Sequence, residues 1–227
     1  MPNHVTTVCY ASGTPEDVER FRTAHFRAAA GGDLEFAFDT IIPKPDSIKA
    51  TESGSQADLG FYALTGLCGY LGILPPPGYS GPMRHEDLAA WLENNHPHVL
   101  AKGRAALAAF RETGHRDWYE WSCANWGTKW GAYDVELRPS EAGWFCFKFK
   151  TAWSFPEPVF RKLASLHPGI VFKIVSFDEG WNFGAEGEFN GADDYHTVRP
   201  GTADLYRRVY GKDPEKDEDE EETEAVH

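Results

Sequence analysis

Between Asp117 and Trp153 the chain reads DWYEWSCANWGTKWGAYDVELRPSEAGWFCFKFKTAW and carries six of the protein's eight tryptophans, at 118, 121, 126, 130, 144 and 153. An indole contributes a large apolar area and one N–H that seeks an acceptor when it leaves water. Tryptophans at this density therefore form either the keel of a core or a stacking surface, and the remainder of the chain is arranged around that choice.

The 227 residues are enough for one large domain or two small ones, with a sizeable core. Their charge is uneven. From Asp213 onward nine acidic residues stand against Lys216, and without residues 212–227 the chain keeps 26 acidic against 20 basic residues, about −6 of the formal −13. Such a balance is a poor default for gripping a phosphate backbone, which depends on lysine and arginine displacing counterions. It suits solubility or a basic partner. The four cysteines (Cys9, Cys68, Cys123 and Cys146) form no CxxC pair and read as reduced, buried thiols. The N-terminal MPNHVTTVCY has no basic segment followed by an apolar run, and the longest uncharged run, Leu59 to Pro77, is interrupted by glycines and ends in prolines. These features predict a cytoplasmic protein that does not engage a membrane.

Taken in order, the β-branched HVTTVCYA (His4–Ala11) predicts a strand, and Thr14 with Pro15 opens a helix carrying Val18, Phe21 and His25 on its inner face, stopped by Gly31-Gly32. His25 reads as an interior histidine. Leu34 to Ile42 predicts a second strand ended by Pro43-Lys44-Pro45. A helical insertion over about 57–115 follows, with helices in Leu59–Leu74, His85–Asn94 and Val99–Phe110. Tyr133–Leu137 and Trp144–Thr151 predict strands. In the latter, Phe145, Phe147 and Phe149 face one way and Cys146, Lys148 and Lys150 the other. A helix over Ser154–Leu166, a strand over Ile170–Phe177, a hairpin partner within Trp181–Phe189 and a helix over Thr202–Tyr210 complete residues 1–211. Residues 212–227 are a like-charge block expected to stay disordered. The predicted class is α+β, a ferredoxin-like two-layer sandwich with two helices on a mostly antiparallel sheet.

Several segments resemble, in order, one known family: Asn3-His4-Val5, Ile42-Pro43-Lys44-Pro45, Asn125-Trp126-Gly127-Thr128-Lys129-Trp130, Thr151-Ala152-Trp153-Ser154 with Pro156, and Phe183-Gly184-Ala185-Glu186-Gly187. The resemblance, over about residues 3–190, is to the YubB-type ferredoxin-like domain of phage and plasmid proteins. It implies a ferredoxin-like fold and a mobile-element origin, and no catalytic residues. The long insertion and the acidic tail depart from the simplest members.

For function, Trp126 and Trp130 either clamp a flat ring, with Lys129 meeting its phosphate or carboxylate, or fasten the insertion to the sheet with Lys129 reaching outward. Trp144 with Lys148 and Lys150 has the make-up of a single-stranded nucleic-acid platform, which the acidic body disfavours. Trp153 and Glu179 are further binding candidates. His96-Pro97-His98 lacks a second ligand pair at zinc spacing, and Asp178-Glu179 and Asp193-Asp194 read as turn carboxylates. There is no GxSxG, Walker loop, GxGxxG after a strand or HExxH, so no cofactor, metal or catalytic residue is expected. The leading expectation is a non-enzymatic binding protein whose acidic tail (Asp217, Glu218, Asp219, Glu220, Glu221 and Glu222) meets a basic nucleic-acid-processing complex of the host. By analogy with the mobile-element origin it would be a counter-defence inhibitor of the anti-CRISPR or anti-restriction type. Direct nucleic-acid binding and a small-ligand enzyme near Trp126–Trp130 are the alternatives.

Overall fold

The computed structural model describes residues 3–29, 31–67 and 74–214. The chain divides into two compact units, one formed by residues 1–42 and 126–227 and the other by Pro43–Asn125. The tryptophan-rich stretch is divided between them, with Trp118 and Trp121 in the second and the other four in the first.

The first unit is α+β. Strands β1 (His4–Gly13), β4 (Tyr133–Leu137), β5 (Trp144–Ala152), β6 (Ile170–Asp178), β7 (Gly184–Phe189) and β8 (Tyr195–Arg199) form a six-stranded sheet in the order β4-β5-β1-β6-β7-β8. Every pairing in it is antiparallel. The register sets Val5, Thr7, Cys9 and Ala11 of β1 beside Thr151, Phe149, Phe147 and Phe145 of β5, so the phenylalanines of WFCFKFK share one face. Helices α1 (Pro15–His25) and α7 (Glu157–Leu166) pack on that face. Phe21 of α1 meets Phe145, Phe147 and Phe172, and Phe160 of α7 meets Phe149, Phe172 and Phe189. Burying a ring of this kind contributes roughly 1.5–3 kcal/mol.

The second face of the sheet carries a helix of its own. In α8 (Ala203–Tyr210), Thr202 caps the first turn and Leu205 and Val209, one turn apart, are buried against Val8, Cys146, Val175 and Phe177. The sequence indicates this helix but not its place, so the face carrying Lys148 and Lys150 is less open than its alternation suggests.

Three local predictions in this unit differ from the structure. Helix α1 ends at His25, well before Gly31-Gly32, because Phe26 turns extended and starts β2 (Phe26–Ala28), paired with β3 (Leu34–Phe36) in a separate two-stranded sheet. The Phe26 ring stacks on Phe36 at 5.0 Å and sets its edge to Phe145 and Phe147, an anchorage that outweighs the helical propensity of the following residues. The strand predicted over Leu34–Ile42 therefore stops at Phe36, and Phe38–Thr40 makes a 3-10 turn that buries Phe38 and Ile41. Strand β8, absent from the prediction, has only exposed and half-buried residues and hence no apolar alternation.

The second unit is helical: α2 (Asp46–Lys49), α3 (Ser55–Thr65), α4 (His85–Asn95), α5 (Pro97–Thr113) and α6 (Trp118–Asn125). It is wider than the predicted 57–115, since residues 43–56 and 116–125 belong to it. Residues 68–73 of the predicted Leu59–Leu74 helix, Cys68 among them, lie outside the described residues. Leu59, Ala63, Leu88, Leu92, Val99 and Leu100 form the core of this unit. Helices α3 and α5 cross at Gly60 and Gly103, where a Cβ on Gly60 would lie 2.1 Å from the Val99 carbonyl oxygen. Asp117, which accepts the N–H groups of Tyr119 and Glu120 at 2.8 and 2.9 Å, caps α6. That N-cap is the sequence signal for a helix not predicted there.

Candidate functional site: the indole-bearing end of the sheet

The antiparallel order brings to one end of the sheet the start of β1, β4 and β7 and the finish of β5 and β6. Asn3, His4, Tyr133, Asp134, Trp153, Asp178, Glu179 and Trp181 gather there. The segments WGTKW and TAWS, far apart in sequence, are clasped together at this end. Thr128 Oγ1 donates to the Ala152 carbonyl at 2.8 Å, Thr151 Oγ1 to the Ser154 carbonyl at 2.7 Å, and Ser154 Oγ to the Gly127 carbonyl. The Trp153 N–H bonds the Asn3 carbonyl at 3.0 Å. Gly127 has φ 76°, and a Cβ there would lie 2.7 Å from Pro158 Cδ in the first turn of α7. Gly127→Ala is expected to cost about 2 kcal/mol, through left-handed strain and this collision. Urea unfolding of the variant checks it, and wild-type stability would refute the clasp.

Trp126 belongs to the interior. It is 7% exposed, its indole N–H donates to the Ile42 carbonyl at 3.0 Å, and its ring meets Phe38 edge-on. A two-ring clamp between Trp126 and Trp130 is thereby corrected: an indole this deeply packed has no face to offer. The ring that accompanies Trp130 is Trp153. Lys129 Nζ lies 4.6 Å from the Trp130 ring centroid and 4.9 Å from that of Trp153, a cation held by two π faces.

A polar chain backs this arrangement. The Trp130 and Tyr133 rings adjoin, with centroids 6.4 Å apart, and the Tyr133 hydroxyl contacts His4 Nδ1. His4 Nε2 stands 3.9 Å from Glu179 Oε1, which also accepts the His4 backbone N–H at 2.8 Å. Burial, followed by the charges of Asp134 and Glu179, pushes the Tyr133 phenol up to about 12. Lys150, which neighbours Tyr133 in register, pairs with Asp134 at 2.8 Å, and its ammonium is held above the usual lysine range by that bond. Asp178 is buried, and its Oδ2 accepts from the Asn182 backbone N–H at 3.1 Å and side-chain amide at 2.7 Å. It fastens the β6–β7 turn, as read from sequence. Asp194 does the same for the next turn, accepting from Asn190 and Gly191 N–H at 2.7 Å each.

Among the described residues, the non-glycine ones with positive φ are Asp134 (50°), Trp153 (71°) and Trp181 (60°), and all three sit at this end. Each such residue costs on the order of 1 kcal/mol or more and persists only where surroundings impose it, a condition common at functional sites. Trp153 and Trp181 are 42% and 43% exposed, and Trp181 stacks on Tyr206 of α8.

Of the residues proposed from sequence, Lys129, Trp130, Trp153, Lys150 and Glu179 come together here. Trp144 does not. It begins β5, nine residues from Trp153 and so about 30 Å away along the strand, and stacks on Tyr10 at 5.7 Å. Lys148 lies midway along the face and pairs with Glu136 at 2.7 Å. With α8 on the centre of the face and both lysines ion-paired, the Trp144–Lys148–Lys150 platform is interrupted. The tail carboxylates 217–222 lie outside the described residues. The sequence reading missed His4, Tyr133, Asp134 and Trp181 as members of the site. For His4, its place in the Asn3-His4-Val5 segment was the available signal, whereas Trp181 had none. Among the described residues no helix is long and apolar enough to cross a membrane.

No family model matches the chain. No curated protein matches it either. Among solved structures, the chain is similar to the crystal structure of a protein api92 from Yersinia pseudotuberculosis, at 7% identity and a TM-score of 0.47, over 89% of this chain and 99% of that one. A likeness at that level carries no argument about activity.

Proposed function

We propose that this chain is a non-enzymatic binding protein that engages a basic protein partner through the indole-bearing end of its sheet, assisted by its carboxylate excess. The exposure of Trp153 and Trp181 in imposed left-handed backbone is the observation that carries the reading. Tryptophans held rigidly at a surface dominate interface energetics, since little side-chain entropy remains to be lost when they are covered. Glu179 at that end and the formal −13 of the chain favour a cationic partner. The fold reading accompanying this is ferredoxin-like. Supporting it are the order β4-β5-β1-β6 and helices α1 and α7 on one face, with β7 and β8 as additions. On the YubB-type resemblance, the partner would be a basic nucleic-acid-processing complex of the host and the role counter-defence.

The test is capture of basic proteins from host lysate by the immobilised full chain. Low salt is expected to permit it and high salt to weaken it. Trp153→Ala should lower the affinity of the captured partner roughly thirty-fold, the effect of about 2 kcal/mol at an aromatic anchor. Removing residues 213–227 should flatten the salt dependence. Recovery of no basic partner at low salt would end this reading.

A further inference from the structure

The rings of Trp130 and Trp153 enclose a cation supplied by the chain itself, at 4.6 and 4.9 Å from their centroids. Tyr133 adjoins Trp130, with ring centroids 6.4 Å apart, and burial and the charges of Asp134 and Glu179 raise its phenol further above the neutral range. Aromatic faces beside carboxylates form an environment for ammonium and guanidinium groups: the ring quadrupoles attract the cation and the nearby negative charge reinforces them. The strained backbone of Trp153 and the hydrogen bonds of its neighbours hold the second ring at this spacing without the partner's help. From this geometry we infer that Trp130 and Trp153, with Tyr133, form a cation cage, that Lys129 is its internal occupant, and that a lysine or arginine side chain of the basic partner enters by displacing Lys129. This rests on the reading of the sheet end as a binding surface and gives the partner's anchoring group a chemical class.

Internal occupancy makes Lys129 a competitor. Exchange of one cation for another returns only the difference between two similar contacts, so an isolated cation binds weakly while Lys129 is present. Vacating the cage should expose its full affinity. Tetramethylammonium is the probe, and the eight indole N–H cross-peaks of the isotope-labelled full chain are the readout, with sodium chloride matching the ionic strength. Lys129→Met is expected to show saturable shifts of the Trp130 and Trp153 signals with at least ten-fold tighter binding than wild type. Lys129→Arg, which keeps an internal cation, should resemble wild type, and Trp153→Leu should abolish the response. Should the two rings close on one another in Lys129→Met, seen as contacts between their protons, wild type carries the test. There, high probe concentrations must move those two signals selectively. Shifts no larger than those produced by sodium chloride, or spread evenly over all eight indoles, would overturn the cage. A partner captured from lysate in a Trp153-dependent way, together with no probe binding, would overturn the cage alone and leave the binding role standing.

Discussion

Gly60→Ala and Gly103→Ala are each expected to unfold the helical unit under conditions in which the wild type is folded. Alanine inside a helix is ordinarily better than glycine by about 0.8–1 kcal/mol. Here the sign reverses. Helices α3 and α5 approach backbone to backbone, and a Cβ on Gly103 would lie 2.3 Å from the carbonyl carbon of Gly60, while one on Gly60 would lie 2.1 Å from the Val99 carbonyl oxygen. Backbone cannot swing aside as a flexible side chain can, so the helices must separate and open the core around Leu59 and Leu100. Overpacking of this kind costs about 3 kcal/mol or more. Hydrogen exchange in residues 43–125 reads it directly. Protection equal to wild type in either variant would show that the crossing is looser than described.

The second large effect is acid sensitivity centred on a histidine pair. His25 is 5% exposed, its Nε2 lies 2.8 Å from His167 Nε2, and its Nδ1 lies 2.7 Å from Thr40 Oγ1. Thr40 Oγ1 donates its own proton to the Ala37 carbonyl, so it accepts from His25 Nδ1–H. His25 Nε2 is then the acceptor and His167 Nε2 the donor, an assignment with no place for a second proton between the rings. Burial, and then the neighbouring His167, lower the His25 imidazole to about 4; burial and Arg20 lower His167, against the opposing pull of Asp17. A base that titrates lower when folded binds fewer protons in the folded state than in the unfolded one. Its penalty is therefore absent above the ordinary value near 6.5, grows as pH falls, and is complete below about 4. For His25 this amounts to roughly 3 kcal/mol. Urea unfolding at pH 7 and pH 4.5 should show wild type losing about 2–3 kcal/mol more than His25→Gln, in which that ring is replaced by a neutral amide. Equal losses would refute the assignment. The comparison between variants is essential because carboxylates such as Glu157, lowered by Arg161 and His196 in spite of burial, also respond to acid.

Much of this architecture was legible because its signals are local. The alternation in WFCFKFK, the Thr14-Pro15 start of α1 and the Gly114 stop of α5 each encode their outcome within a few residues, and strand β5, the beginning of α1 and the end of α5 follow them closely. Failures arose where a distant contact decides. Phe26 leaves the helix for three aromatic rings, two of which lie more than a hundred residues away, and no window around Phe26 records them. Trp126 and Trp130 look equivalent in WGTKW. One finds the Ile42 carbonyl and the other faces Lys129, a distinction made by the fold. The pairing of Lys129 with Trp153 was hidden for the same reason, although both WGTKW and TAW had been singled out. The Lys148–Lys150 face misled because a helix from the far end of the chain lies across it.

The position of β1 in the middle of the sheet has a consequence for biosynthesis. Its neighbours are β5 and β6, so β1, once it has left the ribosome, lacks both of these partners until residues 144–178 follow. Pro43–Asn125, by contrast, is continuous and rich in short-range helical contacts, and can complete itself during translation. A nascent chain therefore carries a finished helical body while the apolar VTTVCYA segment ahead of it still awaits both flanks. Over that interval the exposed strand is the part of the molecule most in need of a chaperone's shelter.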